Sequence, residues 1–283
     1  MTGVVLGPAV AGTWYPRERD ALASRVDALL AKGGGADAAR PVRAVIAPHA
    51  GFDYSGAVAG AAFGGVRGRR FERVVLLGPS HHFGFEGAAV PDAATAMRTP
   101  LGDVPIDREA VEGLRAARGF RADDRVFAPE HALEAELPFL QRALAGEAAV
   151  VPVLLGGRAT HDDARRAADA LIPWIDASTL VVISSDFTHF GPRFGYVPFT
   201  DDLPRRIHDL DHGAILAIEA GDAAGFARYV ETTGATICGH RAIDVLLLLP
   251  AAAGGGRRLA YDTSGRMTGA WDHSVSYAAM EFR

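Results

Sequence analysis

The chain has 283 residues, of which 49% are hydrophobic, 22% are charged and 8% are aromatic. This composition excludes the disordered and fibrous classes, and the length is sufficient to bury the core of one large domain. The formal net charge is -5, with acidic and basic residues interleaved, so we expect neither nucleic acid nor an anionic membrane surface as a partner.

The cysteine content and the apolar runs indicate the cellular compartment. Cys238 is the single cysteine, which excludes an internal disulfide framework and fits a reducing compartment. The longest apolar run, residues 245–253, contains Pro250 and is about half as long as a membrane span, which needs roughly 18 residues. We therefore expect a cytoplasmic protein without a membrane segment.

Strand and helix patterns alternate over the first two-thirds of the chain. Short apolar runs predict buried strands, and apolar residues spaced three or four apart predict helices. In chain order, these are helix 22–30, strand 42–47, helix 57–63, strand 73–77, helices 108–118 and 133–144, strand 149–155, helix 164–175 and strand 180–183. The remaining elements are helices 205–220, 223–230 and 243–249, followed by strands 259–263 and 274–282.

This alternation predicts the fold class. It is typical of an α/β protein whose sheet is covered by helices on both faces. We predict a single-domain α/β sandwich over residues 1–283, with a central, largely parallel or mixed sheet flanked by helices. The last run, 274–282, alternates in places, which favours an antiparallel addition at one side of the sheet.

Histidines follow three of the predicted strands. His49 follows the first strand, His81 and His82 follow the second, and Asp186 and His189 follow the fourth. Ligands of open α/β sheets bind beyond the carboxyl ends of the strands. Imidazole and carboxylate groups at one rim predict a metal site, since neutral imidazole binds Fe, Cu, Zn or Ni. A hydrogen-bonded structural role is the alternative for His49 and His81.

Cys238 is a candidate soft ligand for the same metal. It lies at a predicted junction between a loop and a helix, where the helix amino terminus favours the thiolate. The alternative is a small, buried apolar residue.

Asp186 and His189 are three residues apart, so one turn of chain would place both on one side. They fit an acid/base pair or a carboxylate that orients a histidine. Together with Ser184 and Ser185, Asp186 also fits an ordinary helix cap.

Other polar patterns are less specific. Glu130 and His131 begin a predicted helix, where the carboxylate fits the helix dipole. His208 and His212 are four residues apart but lack the glutamate of a zincin, so they fit a solvated helix face. The chain has neither a Walker loop nor a G-x-G-x-x-G turn between a strand and a helix, so we expect no nucleotide cofactor.

Seven separated motifs carry a resemblance to a known family. They are residues 11–16 (AGTWYP), 47–56 (APHAGFDYSG), 77–82 (LGPSHH), 130–134 (EHALE) with 137–139 (LPF), 184–189 (SSDFTH), 236–239 (TICG) and 274–279 (SVSYAA). In this order they resemble the Memo family, called AmmeMemoRadiSam system protein B in prokaryotes. The pattern departs from the family at Ala242, where the family usually has proline, and residues 262–265 follow its late serine-rich stretch only loosely.

The resemblance implies a fold similar to the class III extradiol dioxygenases, which use non-haem iron at the rim of an α/β sandwich. By the resemblance, His49, His81 and Cys238 match the metal-ligand positions, and Asp186 and His189 match the polar residues beside them. The implied metal is Fe(II), with Cu as the alternative. A thiolate replaces the carboxylate of the dioxygenases and is a softer, stronger donor, which favours metal-linked redox chemistry over ring cleavage.

These implications lead to three functional hypotheses. The first is a redox-active metal protein in which His189 acts as acid or base and Asp186 fixes the tautomer of His189. The second is a non-catalytic adaptor that binds a peptide or small molecule in the same cleft, and the third is an extradiol-type dioxygenase. The prokaryotic family name implies a radical SAM protein and an AMMECR-type protein as partners.

Overall fold

The computed structural model describes residues 3–33 and 41–283, and most of its strands join one mixed sheet. The strands are β1 (Val4–Leu6), β2 (Ala44–Ala47), β3 (Arg73–Pro79), β4 (Ala88–Val90), β5 (Ala94–Thr99), β6 (Gly102–Pro105), β7 (Phe120–Ala122), β8 (Ala149–Leu155), β9 (Thr179–Ser184), β10 (His189–Phe190), β11 (Gly256–Thr263) and β12 (Ser274–Phe282). The large sheet has the order β10-β12-β2-β9-β3-β8-β4-β7, and β11 pairs with β12. Strands β1, β5 and β6 form a separate small sheet.

The centre of the large sheet is parallel and its sides are partly antiparallel. Strands β2, β9, β3 and β8 are parallel neighbours, and their side chains are almost entirely buried. Their aliphatic runs suit strands covered on both faces. Strand β12 runs antiparallel to β2, which confirms the antiparallel addition predicted for residues 274–282.

Two sets of helices pack against this sheet. The α-helices of the described residues are α1 (Arg19–Lys32), α2 (Gly56–Gly64), α3 (Arg108–Arg115), α4 (Leu137–Ala143), α5 (His161–Leu171), α6 (Leu203–Glu219), α7 (Ala223–Thr233), α8 (His240–Leu248) and α9 (Ser264–Thr268). Helices α1, α2 and α4 contact one another, and α2 packs on β2 and β12. Helix α8 contacts α5, α7, β9 and β3. The predicted α/β class, with a mixed sheet flanked by helices, is confirmed.

Some predicted elements differ from the structure. The helix predicted over 133–144 is divided into a 3-10 turn (Glu134–Glu136) and α4. Pro138 lies in the first turn of α4, where its missing N–H has no helical partner to lose. None of the helices in the described ranges is long and apolar enough to cross a bilayer. Residues 1–2 and 34–40 of the predicted 1–283 domain lie outside the described residues.

Candidate metal centre

His49 follows β2 and is held by the end of the neighbouring strand β9. Its backbone N–H donates to Asp186 Oδ1 at 2.9 Å, and its Nδ1 lies 2.7 Å from Ser184 Oγ. Since β2 and β9 are parallel, the residues that follow their carboxyl ends meet at the same edge of the sheet. His49 is only 2% exposed, so its contacts are made inside the protein.

The surroundings of Ser184 fix the tautomer of His49. The Ser184 hydroxyl lies 2.7 Å from the carbonyl oxygen of Ala132 and 2.9 Å from Glu136 Oε1, and these two acceptors compete for its proton. A hydroxyl has a single proton, so His49 Nδ1 must carry the hydrogen that joins it to Ser184. The lone pair of His49 is therefore on Nε2, the atom that is free to bind a metal.

Glu136 is a fully buried carboxyl group behind this contact. Burial raises the pKa of Glu136 well above its usual value; the hydrogen bond from Ser184 lowers it, and the charge of Asp186 raises it further. The balance of these effects favours the neutral acid over the carboxylate at Glu136.

His81 follows β3 and is oriented by a carboxylate. Its Nδ1 lies 2.8 Å from Glu130 Oε1, and its backbone N–H donates to Glu130 Oε2 at 2.6 Å. The N–H of Ala132 also donates to Glu130 Oε1, at 2.9 Å. Such a carboxylate–histidine pair keeps the proton on Nδ1 and leaves Nε2 for a metal.

The hydrogen bonds to Glu130 keep it ionised. Burial favours a raised pKa for this carboxyl group, but the contacts with His81 and the N–H of Ala132 outweigh burial and lower the pKa below its usual value. His81 itself is exposed, so one side of the candidate site is open.

His131 joins His49 and His81 in the structure. One potential ligand atom from each of these three residues lies within 4.8 Å of the other two. The His131 ring stacks on His81 with centroids 4.5 Å apart, and Trp14 packs against it at 4.3 Å. Burial, with the nearby charge of His81, lowers the pKa of His131 to about 4, although Glu130 opposes that shift. The sequence interpretation placed this histidine at a helix start and did not identify it as a candidate ligand.

Cys238 contacts His49 but is not a member of that three-histidine group. Its Sγ lies 3.3 Å from His49 Nε2 and accepts the Asp186 N–H at 3.2 Å. Burial raises the pKa of the Cys238 thiol well above its usual value, and the charge of Asp186 raises it further. Without a metal the sulfur is thus a neutral thiol, and metal binding would release its proton.

Asp186 and His189 lie beside the centre but do not form the predicted couple. His189 Nδ1 lies 3.0 Å from the carbonyl oxygen of Phe187 and 3.1 Å from that of Thr236. These carbonyls, rather than Asp186, place the proton on Nδ1 of His189. The Asp186 carboxylate instead accepts the N–H of His49, and burial raises its pKa despite the opposing charge of His189.

The helix-cap alternative for Ser184 to Asp186 is wrong. No helix begins there: after Phe187 and Thr188 the chain enters β10, a 3-10 turn follows at Pro192–Phe194, and the next α-helix, α6, begins at Leu203.

A cleft of about 510 Å³ opens beside these residues. His81 and Cys238 both line it, together with residues 155–159 and 234–242 except Arg158. His240 also lines the cleft, and its Nδ1 contacts the carbonyl oxygen of Ile237 at 2.8 Å.

Four further side chains, those of Trp14, Tyr15, His208 and His212, make packing or hydrogen-bond contacts. Tyr15 is buried, and its hydroxyl donates to Glu134, while Trp14 forms part of the wall around His131. His208 and His212 stack on each other with centroids 5.7 Å apart and are not part of the three-histidine group.

Comparison with known proteins tests the Memo resemblance. The sequence model of a family described as "Memo-like protein" matches residues 7–281. The chain belongs to the Memo family. It is 34% identical over 284 residues to "Protein memo-1 homolog" of Caenorhabditis elegans, and the aligned region covers 95% of this chain and 80% of that protein. A MEMO1 family protein of Methanopyrus kandleri is 33% identical over 292 residues, with 98% of each chain covered. "Protein MEMO1" of Rattus norvegicus is 32% identical over 282 residues, with 95% of this chain and 94% of that protein covered. The resemblance of the seven Memo motifs is thus confirmed at the level of the family.

Proposed function

We propose that this Memo-family protein binds a redox-active metal, Fe(II) or Cu, and uses it in oxidation–reduction of a small molecule held in the cleft. The observation that carries the proposal is the convergence of His49 and His81, each with Nδ1 hydrogen-bonded and Nε2 available. Neutral imidazole nitrogens presented in this way suit both metals.

The proposal names Cys238 as the third ligand, because it matches the Memo ligand position and lies beside His49 Nε2. The geometry also supports His131, whose ligand atom lies within 4.8 Å of those of His49 and His81. A thiolate would make the site softer and favour Cu(I) more than a third imidazole would.

The donor set fits the implied metal. When bound, Fe or Cu would supply Lewis acidity and one-electron redox chemistry. The protein's own groups orient and transfer protons: Glu130 and Ser184 hold the two imidazoles, and Asp186 holds the backbone of His49. His189 would take up or release a proton at Nε2, because its Nδ1 faces two carbonyl oxygens.

Metal analysis of untagged protein tests the ligand set. We expect His49→Ala and His81→Ala to lose most of the bound Fe or Cu, while the control His208→Ala, outside the three-histidine group, keeps it. Comparing Cys238→Ser with His131→Ala identifies the third ligand as the residue whose loss reduces the metal content. If neither His49→Ala nor His81→Ala changes the metal content, the proposal is wrong.

Oxygen uptake distinguishes turnover from binding. Iron-loaded protein with a panel of catechols should consume oxygen in a substrate-dependent way, and His189→Ala should abolish that uptake. Ligand binding without any uptake would support the adaptor hypothesis, in which the cleft holds a peptide or small molecule. Ring-cleaved products would support an extradiol-type dioxygenase.

The cellular context is a further part of the proposal. We assign the activity to the cytoplasm and, from the prokaryotic family name alone, to a system with a radical SAM protein and an AMMECR-type protein. Co-purification of the tagged protein from its own cells tests this assignment; recovery of neither partner would count against it.

A further inference from the structure

A second cleft shares a loop with the cleft beside the candidate metal centre. Gly157 and Ala159 line the first cleft, and Arg158, between them in the chain, lines the second. The second cleft has a volume of about 550 Å³, which is within the range of small-molecule sites. The arginines that line it, and for which we call it the arginine cleft, are Arg118, Arg121, Arg158 and Arg166.

Contacts between neighbouring segments bring these arginines together. The N–H of Arg158 donates to the carbonyl oxygen of Phe85 at 3.1 Å, and the guanidinium group of Arg121 lies 5.4 Å from the centre of the Phe85 ring. Arg166, on α5, lies against Gly119, where an added Cβ would be 3.6 Å from Arg166 Nε. The loop before β4, the start of β7 and the start of α5 therefore form one continuous lining.

Two of the four arginines are held by carboxylates. Arg166 Nη2 donates to Asp163 Oδ1 at 2.6 Å, and Asp163 Oδ2 accepts the N–H and the hydroxyl of Thr160, each at 2.8 Å. Arg121 lies 3.7 Å from Asp123 Oδ2. Side chains that are already ordered in this way lose less conformational entropy when a ligand binds.

The other two arginines are free to bind a ligand. Arg118 and Arg158 are exposed, and within the described part of the chain neither side chain forms an ion pair or a hydrogen bond. The acidic groups of the described lining are Asp163 and the exposed Glu86, so the cleft carries four positive and two negative charges. This excess of positive charge favours an anion.

The arrangement favours a small molecule with several anionic groups. A guanidinium group binds phosphate or carboxylate through a fork of parallel N–H groups, so several arginines around one cleft suit more than one such group. The whole chain has a formal net charge of -5, so the chain outside the arginine cleft is net negative. A long polyanion such as nucleic acid would be repelled there, whereas a small molecule would contact the cleft alone.

We propose that the arginine cleft binds a small molecule with two or more anionic groups, phosphates or carboxylates, and that Arg118 and Arg158 make the main contacts with them. Arg121 and Arg166 add positive charge at fixed positions. The site consists of side chains other than those of the candidate metal centre, so it goes beyond the proposed function and does not depend on a metal.

Isothermal titration of chelator-treated protein with pyrophosphate, and separately with citrate, tests the proposal. We expect at least one of these anions to bind, with an affinity that falls as salt is added, and the tighter of the two identifies the groups as phosphates or carboxylates. Arg118→Ala and Arg158→Ala should each weaken binding roughly tenfold, as expected for losing hydrogen bonds to a charged group. The matched control is Arg228→Ala, at an exposed arginine of α7 outside this lining, which changes the net charge equally and should keep the wild-type affinity.

Glu86→Gln should change the affinity in the opposite direction. It removes a negative charge from the lining, so binding should become about threefold tighter. An unchanged affinity would count against the cleft as the site, because the bound anion would then lie away from Glu86.

Absence of binding of both anions overturns the inference, as does wild-type affinity in both Arg118→Ala and Arg158→Ala. An equal loss in Arg228→Ala would also overturn it, because net charge rather than the cleft would then explain the binding. Both substituted arginines are exposed, so the variants should remain folded, which thermal unfolding checks. Their metal content should equal that of the wild type, so failure of this inference would leave the metal proposal intact, and the reverse also holds.

Discussion

The two sides of the candidate metal centre hold their histidines by different chemistry. His49 is buried, and its Nδ1 donates to the neutral hydroxyl of Ser184. His81 is exposed, and its Nδ1 lies against the ionised carboxylate of Glu130. Both arrangements leave Nε2 available, but only the carboxylate adds negative charge that makes its imidazole a stronger donor.

The environment of each carboxyl group explains the difference. Glu130 receives N–H groups from the backbone of His81 and Ala132, which stabilise its charge. Glu136, on the other side, has Oε2 without any hydrogen-bond partner in the described part of the chain. Burial of a carboxyl group with one contact favours the neutral acid, so the candidate centre has an ionic side at Glu130 and a neutral side at Glu136.

Glu130→Ala should have the largest effect, because it removes the ionic side. The substitution leaves the N–H groups of His81 and Ala132 and the Nδ1 of His81 without their acceptor. We expect the free energy of unfolding to fall by about 3 kcal/mol and the metal affinity to fall roughly 10- to 100-fold. Urea denaturation and metal titration measure these two quantities.

Glu112→Ala is the matched control, because Glu112 is an exposed glutamate on α3. Its effect on stability should stay within about 0.5 kcal/mol, and its metal affinity should be unchanged. Equal metal affinity for Glu130→Ala and the control would show that the carboxylate does not tune His81.

Glu136→Gln tests the neutral side through the pH dependence of stability. The pKa of Glu136 is higher in the folded than in the unfolded protein, so its contribution is fully present below the unfolded pKa and is lost as the pH rises toward the folded pKa. Glutamine cannot ionise. Relative to the wild type, the variant should therefore gain about 1.4 kcal/mol of stability per pH unit between the unfolded and the folded pKa of Glu136.

Urea denaturation at pH values from 4 to 8 gives this difference directly. The matched control is Glu231→Gln, at an exposed glutamate of α7. A difference between Glu136→Gln and the wild type that does not change with pH would mean that Glu136 is already ionised in the folded protein.

The sequence predicted those residues of the candidate centre whose proximity to one another follows from strand order alone. His49, His81 and Asp186 follow parallel strands, so their meeting at one edge follows from the alternating pattern. Cys238 is 189 residues from its contact His49, and only the Memo resemblance connected the two.

The remaining features depend on tertiary packing that the sequence does not display. His131 reaches the centre from an irregular segment after β7, where no periodic pattern shows which way a side chain points. The orientation of His189 depends on the backbone carbonyls of Phe187 and Thr236, which every residue type carries. Strands β1, β4 and β7 have three residues each, too few for an alternating pattern to stand out.

Ser184→Ala should have a smaller effect than Glu130→Ala or Glu136→Gln, because it removes a neutral contact. His49 Nδ1 loses its acceptor, yet the backbone N–H of His49 remains bound to Asp186. We expect a loss of about 1 kcal/mol in the free energy of unfolding and a fall in metal affinity of less than about tenfold. Ser184→Thr, which keeps the hydroxyl and suits a strand, is the control and should retain the affinity. If Ser184→Ala weakened metal binding as much as Glu130→Ala does, the hydroxyl and the carboxylate would contribute equally to the metal affinity. The negative charge of Glu130 would then give His81 no advantage over His49 as a ligand.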